Sequence, residues 1–293
     1  MKLFGRKKET DEEKFQKYYD SGVAERKRGW DKNPYSKRYF WSMNWLSIFW
    51  ATEALVKARD LLSPFSHDSL LPSTGVKLTP EDKLYLYLEI ALCYLELGKA
   101  EIKKGDNIND LINDKIRKRI WMLLNLESSV TSNTYPDYNS IKEKFFFIGL
   151  YHIESGLKQA NLPTAKALFC KASILEAMYD MDFHISDLEQ IKISLNENHF
   201  QTMTFSNIEP IDCFESALEI QPDNLEIMFA LSLALKKRGR TEDCKNYQDR
   251  ILEIKPNGKY GKLVKGSRRG HISLDEDCWC GENHDRNRVL GIE

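Results

Sequence analysis

Ala217-Leu218-Glu219-Ile220-Gln221-Pro222-Asp223-Asn224 returns near the end of the chain as Ile251-Leu252-Glu253-Ile254-Lys255-Pro256-Asn257-Gly258, with Leu, Glu, Ile and Pro each displaced by the same 34 positions. A fixed period of that length marks a helical repeat, because one helix pair cannot bury its apolar stripe alone and stacks on neighbours. One whole unit lies between the copies. Met228, Leu231, Ser232 and Leu235 share one helical face, Gly239 stands at a turn, Cys244 and Ile251 fall on a second helix, and Pro256 closes the unit.

These positions resemble a tetratricopeptide repeat, with Met228 for the usual Trp and Cys244 for the usual Ala. The resemblance covers residues 209–258 well and 85–177 loosely. It implies an all-α fold in which antiparallel helix pairs stack as a short right-handed solenoid, and it implies a scaffold whose inner surface binds other proteins.

Composition sets the outer limits. The chain has 293 residues, 42% hydrophobic and 30% charged, which suits a globular protein with a sizeable core. A net charge of -1 supplies no global field to recruit nucleic acid or an anionic membrane. The most apolar stretches, such as 145–153, fall well short of a bilayer-spanning helix, so no membrane span is expected. Residues 1–8 carry the charge of a signal-peptide start, but the polar run from Glu9 to Lys14 follows in place of an apolar region, so secretion is not expected. Of the six cysteines, Cys93, Cys170, Cys213 and Cys244 fall inside predicted helices, where a reduced thiol packs as a small apolar group. The expected compartment is reducing and cytoplasmic.

The same frame tried upstream gives less regular units. Tyr87, Ile90, Ala91 and Tyr94 fit a first helix ending at Leu97-Gly98, with an amphipathic stretch at 111–126 beyond it. Phe145, Ile148, Gly149 and His152 fit another first helix, paired with a second carrying Ala165, Phe169 and Ala172. Nearer the N-terminus, Ala51, Leu55 and Ala58 read as a helix before Ser63-Pro64, and 14–29 as a vague one. Residues 66–80 form a loop that ends in a helix start, with Thr79 as cap, Pro80 as first residue and Asp82 in the first turn. Residues 196–207, rich in Asn, Ser and Thr, read as a second loop. The expected organisation is an N-terminal helical segment over 1–65, a helical array over 79–258 with its clearest repeat at 225–258, and an irregular tail over 259–293.

In the family it resembles, the groove is lined by two positions flanking the small packing residue of each first helix. Carried over, these are Leu88 and Leu92, Phe146 and Leu150, and Phe229 and Leu233. All six are apolar, so the Lys and Asn donors that would grip a carboxylate tail are missing. Helices as apolar as 85–92 and 145–148 must be covered on every side. Two readings stay open. Either the chain fills its own groove, with the 111–126 helix or the aromatic N-terminal segment, or the groove takes a partner helix or a second copy.

The tail departs from the helical pattern. It is basic and Gly-rich over 259–269, then acidic at Asp275-Glu276-Asp277, and then reads Cys278-Trp279-Cys280-Gly281-Glu282-Asn283-His284. With His271, this supplies two thiolates and two imidazoles, a donor set suited to a closed tetrahedral zinc site. Cys278-x-Cys280-Gly281 resembles the first half of a SEC-C type zinc motif. That motif closes with a Cys-Cys or Cys-His pair, and no Cys follows Cys280, so His271 and His284 would have to complete the site. The alternative is a polar extension with free thiols and no cofactor at all.

The basic run Lys115 to Arg119 beside Trp121 has acidic neighbours in Asp110 and Asp114, as a solvated helix face does, and Lys236-Lys237-Arg238 suits a helix C-terminus. The chain holds no phosphate-binding Gly loop, no nucleophile elbow, no His-Glu-x-x-His and no paired-carboxylate motif. The sequence thus points to a non-enzymatic scaffold for protein–protein interaction or self-assembly. The alternative is a nucleic-acid-associated adaptor using the tail, although nucleic acid is not the expected partner.

Overall fold

Thr10 and Glu13 begin the regular structure with a reciprocal cap. The Glu13 N–H donates to Thr10 Oγ1 at 3.1 Å and the Thr10 N–H to Glu13 Oε2 at 2.8 Å, and the helix α1 (Asp11–Asp31) follows with an acidic first turn. The computed structural model describes residues 9–31, 43–62, 76–100, 138–181, 191–196, 199–203 and 209–268. These divide into two compact units, one ending at Asn161 and one starting at Leu162. The boundary between units falls inside the array expected over 79–258, and the first helices of that array share a unit with the N-terminal segment.

The first unit contains α1, α2 (Met43–Asp60), α3 (Pro80–Gly98) and α4 (Tyr138–Gln159). Thr79 caps α3 as expected, its side chain accepting from the Asp82 N–H at 3.1 Å, with Pro80 in the first turn. Helix α1 packs along α2, α2 on α3, and α3 along α4. The core joins Phe15 of α1 and Trp45, Phe49, Leu55 and Ala58 of α2 to Leu86, Ile90, Tyr94 and Phe145. Arg26 of α1 donates from Nε to Glu89 of α3 at 2.5 Å, with both side chains largely buried. The vague helix read at 14–29 is thus a full helix. Its apolar side is too sparse to be obvious in sequence, and the aromatic face of α2 completes it.

The second unit contains α5 (Ala165–Tyr179), a hairpin of β1 (Ile191–Asn196) and β2 (His199–Met203), then α6 (Pro210–Ile220), α7 (Leu225–Lys237), α8 (Thr241–Ile254) and α9 (Lys259–Arg268). Each of these helices packs on the next, and α9 also touches α7. Between α7 and α8 the chain turns at Gly239, whose φ of +73° is a left-handed conformation that costs other residues more. The Arg240 N–H reaches the Leu235 carbonyl at 2.9 Å and the Gly239 N–H reaches that of Lys236 at 3.0 Å, which satisfies the last turn of α7.

Three expectations are corrected. The helices read as one repeat, around Phe145 and Ala165, are α4 and α5, which belong to different units; within its own unit α4 pairs with α3, and within the other α5 pairs with α6. A helix apolar nearly all round accepts a neighbour on more than one side, so its pattern does not select a partner. The loop expected over 196–207 overlaps a hairpin in which Ile191 pairs with Met203 and Ile193 with Gln201, and the alternation Ile191-Lys192-Ile193-Ser194-Leu195 carries its period. The tail expected to be irregular from Lys259 opens with α9. Gly266 lies 34 residues after Ser232 and both are buried, but Lys262 and Lys265 stand where Met228 and Leu231 do, which hides the helical pattern.

Candidate interaction surface

Of the six positions carried over as groove-lining, Leu88, Phe146, Leu150, Phe229 and Leu233 are buried and Leu92 is half-buried. They do not line an open surface in this structure. Phe146 of α4 closes on the end of α3 at Gly98, where a Cβ would lie 2.5 Å from its ring. Phe229 of α7 is met by Tyr260 of α9, ring centroids 5.6 Å apart and planes tilted by 43°. The Tyr260 hydroxyl donates to the Glu226 carboxylate; burial first, and that carboxylate second, push its pKa up. The expected irregular tail therefore supplies the cover over Phe229, while the expected cover at 111–126 lies outside the described residues.

Exposed apolar side chains stand elsewhere. In the second unit, Ile220 and Ile254 are 45% and 43% exposed, at positions 34 residues apart on the last turns of α6 and α8.

The charged groups after α7 have partners that the helix-terminus reading did not supply. Arg238 Nη1 donates to the buried Glu176 carboxylate at 2.8 Å, its guanidinium lies 4.0 Å over the Tyr179 ring, and its Nε is 3.4 Å from Glu209. Lys237 reaches Asp180 at 2.6 Å. These contacts join the C-terminal ends of α5 and α7.

His152 is buried, 1% exposed. Its ring stacks between Tyr87 and Tyr94 of α3 at 5.9 and 5.7 Å, meets Tyr151 edge-on at 5.3 Å, and brings Nε2 to 3.4 Å from Arg59 Nη1 of α2. Burial, and after it the neighbouring guanidinium, hold the imidazole well below its ordinary 6.5. Arg59 and His152 are 93 positions apart, so no local pattern could have joined them.

Burial pushes the Cys93 thiol up to about 12, far from a reactive thiolate. Among the described residues no group of three or more His, Cys, Asp or Glu is placed to hold a metal ion, and no helix is long and apolar enough to cross a membrane. The four candidate zinc ligands His271, Cys278, Cys280 and His284 lie outside the described residues, as do Lys115 to Trp121. No family model and no curated protein matches the chain.

Proposed function

We propose that the chain is a non-enzymatic, cytoplasmic scaffold of tetratricopeptide type that joins proteins or copies of itself. One observation carries this reading. Helices α6 and α8 end at Ile220 and Ile254, and α7 and α9 begin at Leu225 and Lys259, so both boundaries recur after 34 residues. A chain that repeats its helix ends in step with its sequence presents equivalent side chains at regular intervals, which suits an extended binding surface.

The buried groove positions direct attention to the exposed ones. Ile220 and Ile254 occupy equal registers and are the side chains we expect a partner to meet. The test is a pull-down from the native cell beside light scattering of the purified chain, with an Ile220→Asp, Ile254→Asp variant as control. Loss of a stoichiometric partner or of self-association, with helical circular dichroism intact, supports the reading. A monomer that recovers no stoichiometric partner overturns it.

A second reading, a nucleic-acid-associated adaptor, is favoured by α9, which carries Lys259, Lys262, Lys265 and Arg268 and no acidic residue. Binding of a single-stranded oligonucleotide that weakens by orders of magnitude between about 50 and 200 mM salt would establish it. Salt-insensitive partner recovery would set it aside.

A further inference from the structure

We propose that His152 is an acid-sensitive latch, which holds the end of α2 against the α3 and α4 pair while its imidazole is neutral and releases it on protonation. The hydrogen-bond roles around the ring lead to this. A guanidinium has no acceptor, so Arg59 Nη1 donates and His152 Nε2 accepts, which places the imidazole proton on Nδ1. Nδ1 is itself buried without a hydrogen-bond partner among the described residues. The site therefore accommodates the neutral ring and offers nothing to a second proton.

Among the described residues, the groups that face the ring come from three helices. From α2 they are Arg59 and, beyond it, Asp60; from α3, Tyr87 and Tyr94; from α4, the adjoining Tyr151. Asp60 is the sole anion among them and is engaged on the far edge of the guanidinium, accepting from Arg59 Nε at 3.0 Å and Nη2 at 2.5 Å. Burial keeps the Tyr94 hydroxyl protonated, so it adds no negative charge. The tyrosine faces attract an imidazolium, but attraction to a ring quadrupole falls off faster with distance than repulsion between charges. The rings lie at 5.7 and 5.9 Å, whereas the Arg59 nitrogen lies at 3.4 Å.

Relief has one direction. Arg59 keeps 28% of its side chain in solvent while His152 is sealed, so the guanidinium moves outward and carries the last turn of α2 with it. That helix contributes Trp45, Phe49, Leu55 and Ala58 to the shared core, so its release uncovers apolar surface. The folded pKa lies below 6.5, so the opened state takes up the proton first as pH falls through 6.5. The closed state is thus favoured above that value and lost progressively below it.

The test titrates the full chain from about pH 7.5 to about pH 4, following tryptophan emission, binding of an anilinonaphthalene dye and helical circular dichroism in the parent, His152→Gln and Arg59→Gln. The expected result is a rise in dye binding in the parent while helix signal persists, with that rise moved by about one pH unit or more to the acid side in both variants. If His152→Gln does not fold, Arg59→Gln and the NMR titration of the His152 ring proton decide the matter. An acid transition unchanged by the substitutions, simultaneous loss of dye-free core and helix signal, or a His152 that titrates at its ordinary value in the folded chain would each overturn the latch.

Discussion

Tyr260 and Phe229 close one end of the second unit together, the Tyr260 ring 5.6 Å from Phe229 and its hydroxyl on Glu226 one turn back along the same helix. A carboxylate placed at Phe229, which is 5% exposed, would be buried without a partner. Phe229→Asp is expected to unfold or aggregate, read as loss of cooperative thermal unfolding. A well-folded variant that loses a partner would show that this face opens in solution.

Leu231 on α7 is fully buried, and truncation leaves a cavity. Leu231→Ala should cost about 2 to 5 kcal/mol. Lys245→Ala, on the exposed side of α8, should cost under about 0.5 kcal/mol. Equal urea midpoints for the two would contradict the packing described for α7.

Neighbouring cations at the end of α7 should behave differently. Arg238 is 12% exposed and its removal leaves the Glu176 carboxylate, which is 1% exposed, with the more distant Lys237 Nζ at 3.6 Å, so Arg238→Ala should cost about 3 kcal/mol. Lys237→Ala breaks a partly solvated pair with Asp180 and a longer approach to Glu176, which keeps its closer bond to Arg238, and should cost about 1 kcal/mol or less. Chemical denaturation of both variants gives the comparison directly.

Gly98 ends α3 under the ring of Phe146, with room for no side chain. Gly98→Ala would place a methyl group 2.5 Å from Phe146 Cε1, and the ring or helix must shift at a cost of about 1 to 3 kcal/mol. A thermal midpoint equal to the parent's would mean that α3 and α4 are less closely apposed than described.

Cys93 should resist alkylation in the folded chain. Its thiol is sealed in the core and pushed up to about 12, so at about pH 8 it holds essentially no thiolate. Mass spectrometry after brief iodoacetamide treatment should find Cys93 unmodified, and modified once urea is added. Equal labelling in both conditions would place it at the surface.

Local signals were legible wherever the chemistry is confined to a few consecutive residues. The cap at Thr79, the start at Pro80 and the turn at Gly239 each depend on side chains or backbone preferences within one turn of helix, and each stands where the pattern places it. The hairpin at β1 and β2 was also written locally, in the alternation from Ile191 to Leu195, but the surrounding Asn, Ser and Thr read more strongly as a loop. Helix α9 was obscured by Gly261, Gly266 and the lysines between them, residues of a helix held by packing and not by propensity.

By itself the sequence determined that the described part of this chain is mostly helical, where α3 begins and ends and where α7 turns at Gly239, and that a 34-residue period joins the ends of α6 and α8. Those properties follow from side-chain spacing along one strand of backbone. Tertiary structure alone decided that α3 pairs with α4, that the N-terminal aromatic helix shares their core, that Tyr260 covers Phe229 and that Arg59 meets His152. A helix apolar on several faces fits many neighbours, and which one it keeps is fixed by how shapes and charges far apart in sequence fit together in space.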